Sequence, residues 1–101
     1  MTYNLLNYRV ATNACPFSQN NPITKEADLK TITKHVVPDV LVCQEIGGNS
    51  ATNADFILSN VLNTDGVTSY AKGSYSNNTF SNLVNMLYYD SDKLGLKKQV
   101  A

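Results

Sequence analysis

Four consecutive apolar residues, Val40-Leu41-Val42-Cys43, constrain this chain more than any other feature, because Pro38 precedes them and Gln44-Glu45-Ile46-Gly47-Gly48 follows. A proline disfavours helix in the residue before it and turns the chain extended. A short unbroken apolar run then reads as a strand covered on both faces. The run leads into a carboxylate. Burying a carboxylate is costly unless a cation or hydrogen-bond donors offset the lost hydration. Glu45 therefore has two readings: the strand leaves the core for solvent there, or a strand-end acid beside a glycine turn holds a metal ion.

The rest of the chain supplies neighbours for that strand. Residues 2-7 read as a first strand, and residues 8-23 as a loop marked by Asn20-Asn21-Pro22, of a length more often functional than idle. Thr24 is a candidate N-cap for a helix over about 25-36, with Glu26 and Asp28 in its first turn, Lys34 and His35 in its last, and Leu29, Ile32 and Val36 as its apolar face. Ser50 is placed to cap a second helix over about 51-63. Its apolar positions Ala54, Ile57, Leu58, Val61 and Leu62 follow the helical repeat without a miss, and Asn63-Thr64-Asp65-Gly66 ends it. Beyond that the period becomes extended: Val67-Tyr75, Leu83-Tyr89 and the start of Leu96-Ala101 read as strands separated by Ser/Asn-rich and Asp/Lys turns. The expected architecture is α+β, with residues 2-7, 39-45 and 83-89 adjacent in one mixed sheet and both helices on one face. No repeat, low-complexity block or linker divides it.

Composition limits the partners. The 101 residues are 43% hydrophobic and 16% charged, with a net charge of zero, so no basic field draws in nucleic acid irrespective of sequence. The apolar runs are too short to cross a membrane as a helix, and no charged-then-apolar leader precedes the first strand. Met1 stands directly against that strand, as an internal methionine of a longer chain would. Cys43 lies in the buried strand and Cys15 in the loop, and both are expected reduced. The cysteines do not fix the compartment; abundant Asn and Ser with low charge tilt toward export, secreted or periplasmic.

Other motifs are weak. Gly47-Gly48-Asn49-Ser50 precedes a helix as a phosphate cradle would, yet lacks the Lys-Ser/Thr of a P-loop and the third glycine of a dinucleotide fingerprint, so an ordinary strand-to-helix turn is expected. Asp90 and Asp92 lack the downstream glycine and glutamate of a calcium loop and read as turn residues. Tyr88 and Tyr89 alternate across the sheet, which offers one to the core and the other to a cleft, with core packing the default expectation for both. His35, the single histidine, reads as a solvated helix-end residue.

Three segments together carry a resemblance. Thr2-Tyr3-Asn4-Leu5 opening the chain, Pro38-Asp39-Val40-Leu41-Val42-Cys43-Gln44-Glu45 after a helix, and Asn85-Met86-Leu87-Tyr88-Tyr89-Asp90-Ser91-Asp92-Lys93-Leu94 are similar, in order and spacing, to the first half of the endonuclease/exonuclease/phosphatase superfamily. The resemblance covers most of residues 2-7 and 25-46, plus 82-95. It implies the first half of a deoxyribonuclease I-like four-layer α/β/β/α sandwich, with Asn4 and Glu45 as catalytic metal-site residues for Mg²⁺ or Mn²⁺ and a phosphoester as substrate, nucleic acid among the candidates. The superfamily's Asp-x-Asn, Gly-Asp-x-Asn and Ser-Asp-His are missing; Ser91-Asp92 is followed by Lys93. The expectation is therefore a partial domain, without turnover on its own, that associates through an exposed sheet face. The competing reading is a non-catalytic α/β module that binds an anion or a partner at Gly47-Ser50, with Glu45 a plain strand end.

Overall fold

A computed structural model describes residues 1–9, 18, 20–48, 51–76 and 83–95. Four strands and two helices follow in the order β1 (Thr2–Tyr8), α1 (Pro22–Val36), β2 (Val40–Gly47), α2 (Thr52–Ile57, continuing as a π-helical turn over Leu58–Leu62), β3 (Tyr70–Lys72) and β4 (Leu83–Asp90). The strands form one sheet in the order β1-β2-β4-β3. β1 and β2 are parallel, while β2 with β4 and β3 with β4 are antiparallel, so the domain is α+β with a mixed sheet in which β2 lies between β1 and β4.

Both helices cover the same face. Leu41, Cys43 and Ile46 of β2 pair with Tyr88, Met86 and Val84 of β4 and join Leu29, Ala54, Ile57, Val61 and Leu62 in one core. Ala54, Ile57, Val61 and Leu62 are sealed and Leu58 packs against them, the spacing expected of an amphipathic helix. The Tyr88 hydroxyl reaches into the helix layer and donates to the Ala54 carbonyl at 2.7 Å, which satisfies the one polar atom of a wholly buried side chain. Tyr89, one residue on, lies half-buried on the opposite face.

α1 departs from expectation at both ends. It starts at Pro22, with Asn21 as N-cap: Asn21 Oδ1 accepts from the Ile23 and Thr24 amides at 2.8 and 3.2 Å. Asn-Pro, taken for loop punctuation, is here an N-cap followed by the residue whose fixed φ best begins a helix. Glu26 consequently sits beyond the first turn and is buried with Leu29 and Thr33, while Ile32 is half-buried and Val36 is 54% exposed. The helix closes through Val37, which takes a left-handed conformation (φ 51°) and donates its amide to the Thr33 carbonyl at 2.8 Å. That role usually falls to glycine, because a β-branched residue is strained there.

Two other expectations change. The strand expected over 67-75 shrinks to Tyr70–Lys72, since the Asn63 side chain takes the place of a strand partner: its Oδ1 accepts the Tyr70 amide at 3.0 Å and its Nδ2 donates to the Tyr70 carbonyl at 2.9 Å. The N-cap of α2 is Ala51, which offers no side-chain bond. Ser50, Cys15, most of the 8-23 loop and the strand expected from Leu96 lie outside the described residues.

On the face away from the helices, Val40 stands beside Tyr89 and Val42 beside Leu87, all half-buried, with Asn4, Gln44 and Asn85 exposed around them. Among the described residues no helix covers this face. Nor is any of their helices long and apolar enough to cross a membrane.

Candidate metal site at the strand ends

Parallel pairing sets the site. Thr2, Tyr3 and Asn4 run level with Val42, Cys43 and Gln44, and the register then slips, so that Tyr8 is the next residue paired, with Ile46. Asn4, the third residue of β1, and Glu45, near the C-terminal end of β2, are thus one position apart on neighbouring parallel strands. Open sheets with parallel strands place ligands outside such ends.

Both strands are irregular at that point. Leu6 has φ 50° and Glu45 has φ 59°, and neither is a glycine. In β2, Gln44 and Glu45 together stand opposite the single residue Asn85, between the pairs Cys43 with Met86 and Ile46 with Val84, which is a β-bulge. In β1 the Asn4 side chain braces the distortion: its Oδ1 accepts the Leu6 amide at 2.9 Å. Lys25, reaching from α1, donates its ammonium to the Leu5 and Leu6 carbonyls. Residues held in sparsely populated backbone regions persist only where surroundings over-determine them, and they gather at ligand sites. A groove of about 230 Å³ opens beside this stretch, between Asn4 and Asp28.

The donors present suit a hard divalent ion. Glu45 is half-buried and makes no hydrogen bond or ion pair with the described residues. Asn4 Oδ1 accepts one amide and retains a second lone pair. Mg²⁺ is commonly held by one or two protein oxygens, with waters and substrate phosphate completing its shell. Among the described residues no group of three or more His, Cys, Asp or Glu adds a fuller cage.

The remaining candidates take structural roles. Gly48 adopts φ 82°, which a side chain would strain, and the Gly47 carbonyl accepts Asn53 Nδ2 at 3.0 Å, so Gly47-Gly48 form a strand-to-helix turn. Asp90 Oδ1 accepts the Asp92 amide at 3.1 Å, making the Asp90-Asp92 segment a turn. His35 is exposed in the last turn of α1. Burial pushes the Cys43 thiol up to about 12, which leaves it protonated and inert at neutral pH.

Sequence reasoning missed one polar cluster. Arg9, directly after β1 and itself at φ 60°, donates Nε to the Tyr8 hydroxyl at 3.0 Å and Nη2 to Glu26 at 3.1 Å, and lies 3.9 Å above the Phe56 ring. The other Glu26 oxygen accepts Asn60 Nδ2 at 2.7 Å. Burial pushes the Tyr8 phenol up to about 12, against the pull of its Arg9 hydrogen bond. The cluster ties the end of β1 to both helices. Its members are scattered from residue 8 to residue 60, so no local spacing announces it; the π-helical turn that carries Asn60 is also invisible to a 3.6-residue period.

No protein-family model matches this chain, and no match is found among curated proteins or among solved structures.

Proposed function

We propose that this chain is the first part of a Mg²⁺-dependent phosphoesterase of the deoxyribonuclease I-like kind, with Asn4 and Glu45 as its share of the metal site. One observation carries the reading: a half-buried acid with no side-chain partner among the described residues sits in a left-handed bulge near the end of β2, one position from Asn4 on the adjoining parallel strand. Retaining an uncompensated acid there costs stability, and a bound cation is the compensation that explains it.

In this reading Glu45 holds the ion and Asn4, fixed by its Leu6 bond, orients the shell. The ion, when bound, would polarise a phosphoryl oxygen and stabilise the leaving oxygen. The chain's own contribution is positional: Lys25 keeps the Leu5 and Leu6 carbonyls in place, and the bulge turns the end of β2. No Gly-Asp-x-Asn or Ser-Asp-His is present to position an attacking water or charge the transition state, so these 101 residues alone would show no turnover. The face bearing Val40, Val42, Leu87 and Tyr89 would be the one a second sheet covers in the complete sandwich. A phosphoester is the substrate class; nucleic acid is one member of it.

Mg²⁺ titration of the ¹⁵N-labelled chain, followed by NMR, tests the site. Saturable shifts should concentrate at residues 4-6 and 44-48, and Glu45→Gln should weaken binding at least roughly tenfold, the loss of one charged ligand. Equal affinity in the Glu45→Gln protein would remove the metal site and leave Glu45 a strand-end residue.

A further inference from the structure

A cavity of about 370 Å³ lies at the end of the sheet away from Asn4 and Glu45. Its size falls within the range of small-molecule sites, and its walls are mainly apolar: Val37 after α1, Leu62 at the end of the π-helical turn, Val67, and the Tyr70 ring. Both helices present their C-terminal, partially negative ends to it through Val37 and Leu62.

Two charged residues line the cavity, Lys34 and Asp90, and an ion pair stands near Tyr70. Lys34 donates to the Thr64 carbonyl at 2.8 Å and the Leu62 carbonyl at 3.4 Å, where a helix end invites a cation. Lys93 pairs with Asp39 at 3.0 Å. Asp90 is the cross-strand partner of Tyr70 and lines the cavity beside it. Its carboxylate accepts one backbone amide, from Asp92 at 3.1 Å, so its second oxygen has no donor among the described residues. The Tyr70 hydroxyl is spent on the Pro38 carbonyl at 2.6 Å, so the residue lines the cavity with its hydroxyl already satisfied.

We propose that this cavity binds a small organic cation, an apolar body carrying an ammonium group, with Asp90 as counter-ion and Tyr70, Val37, Leu62 and Val67 as walls. An ammonium beside both a carboxylate and an aromatic face gains a charge-assisted hydrogen bond and an attraction to the ring. An apolar neutral ligand of the same shape gains only the walls, and a carboxylate meets Asp90 and two negative helix ends.

The test is an NMR titration of the 101-residue chain with three probes of one shape: phenethylamine, 2-phenylethanol and 3-phenylpropanoate. Saturable shifts at Thr33, Ser69 and Tyr70 are expected with the amine, at least roughly tenfold tighter than with the alcohol, and with no saturation by the carboxylate. Asp90→Asn should bring the amine down to the level of the alcohol. Val67→Trp, which fills the cavity and leaves Asp90 in place, should abolish binding of both. Amine and alcohol binding equally, no saturation by the amine, or amine binding that survives either substitution in a folded protein would each overturn the proposal.

Discussion

On the helix side of the sheet, Leu41, Cys43 and Ile46 of β2 and Val84, Met86 and Tyr88 of β4 are at most 1% exposed. One residue along the same strands, Val40, Val42, Leu87 and Tyr89 are equally apolar and remain half-buried. A strand alternates its side chains between faces, so an unbroken apolar run writes two apolar faces whether or not both are covered. Here α1 and α2 supply one cover. What differs between the faces is the company, not the strand: among the described residues no helix lies over the outer face.

The largest effect that could break this comparison is a truncation on each side. Leu41→Ala leaves a void between sheet and helices and should cost about 2–5 kcal/mol. Leu87→Ala, on the half-buried side, removes a similar volume where solvent or rearrangement can fill the space, and should cost under about half as much. Urea unfolding of both variants measures the difference; equal losses would mean the outer face is as finished as the inner one.

Alkali sharpens the same contrast through the sealed face's ionisable groups. Burial raises Cys43 from an ordinary value of 9.0 to about 12, and it also raises Tyr8 and Tyr88. In each case the folded state keeps a proton that the unfolded chain gives up sooner. The stability linked to Cys43 is therefore fully present below pH 9 and declines as pH rises toward 12, at no more than about 1.4 kcal/mol per unit. Cys43→Val should make the decline shallower by that amount in unfolding curves taken from pH 8 to 10.5. An unchanged slope would show that the thiol is not sealed.

The sheet was legible in the sequence because its strands and α2 obey clean periods: the run from Val40 to Cys43, the alternation from Leu83 to Tyr89, and the repeat from Ala54 to Leu62. The start of α1 was misread because Asn21-Pro22 serves equally well as a turn or as cap and first residue, and only tertiary context decides. Its apolar face was misread because Glu26 and Thr33 are buried in place of Val36, a choice set by Arg9 and Asn60 from distant parts of the chain. At the candidate site, the parallel pairing of β1 with β2 was legible, and it sets Asn4 level with Gln44, one position from Glu45. The backbone that shapes the site was not, since left-handed Leu6 and Glu45 go against the preferences of both residues and leave no mark in the letters.

The smallest expected change in stability belongs to the outer face, where it comes with a change in association. Replacing Val42 and Leu87 together by threonine keeps β-branched or strand-compatible side chains while adding a hydroxyl to each of two paired positions. Because neither residue is sealed, the double variant should lie within about 1 kcal/mol of the parent, the sum of two surface-like substitutions. An apolar sheet face without a helix over it draws copies together, so the parent chain should sediment with an average mass that rises with concentration, and the threonine variant should not. β3 at one edge is three residues long and carries Lys72, a short charged edge of the sort that discourages strand addition. Association that persists undiminished in the double variant would place the contact at an edge strand instead, and the two faces would then differ in packing alone.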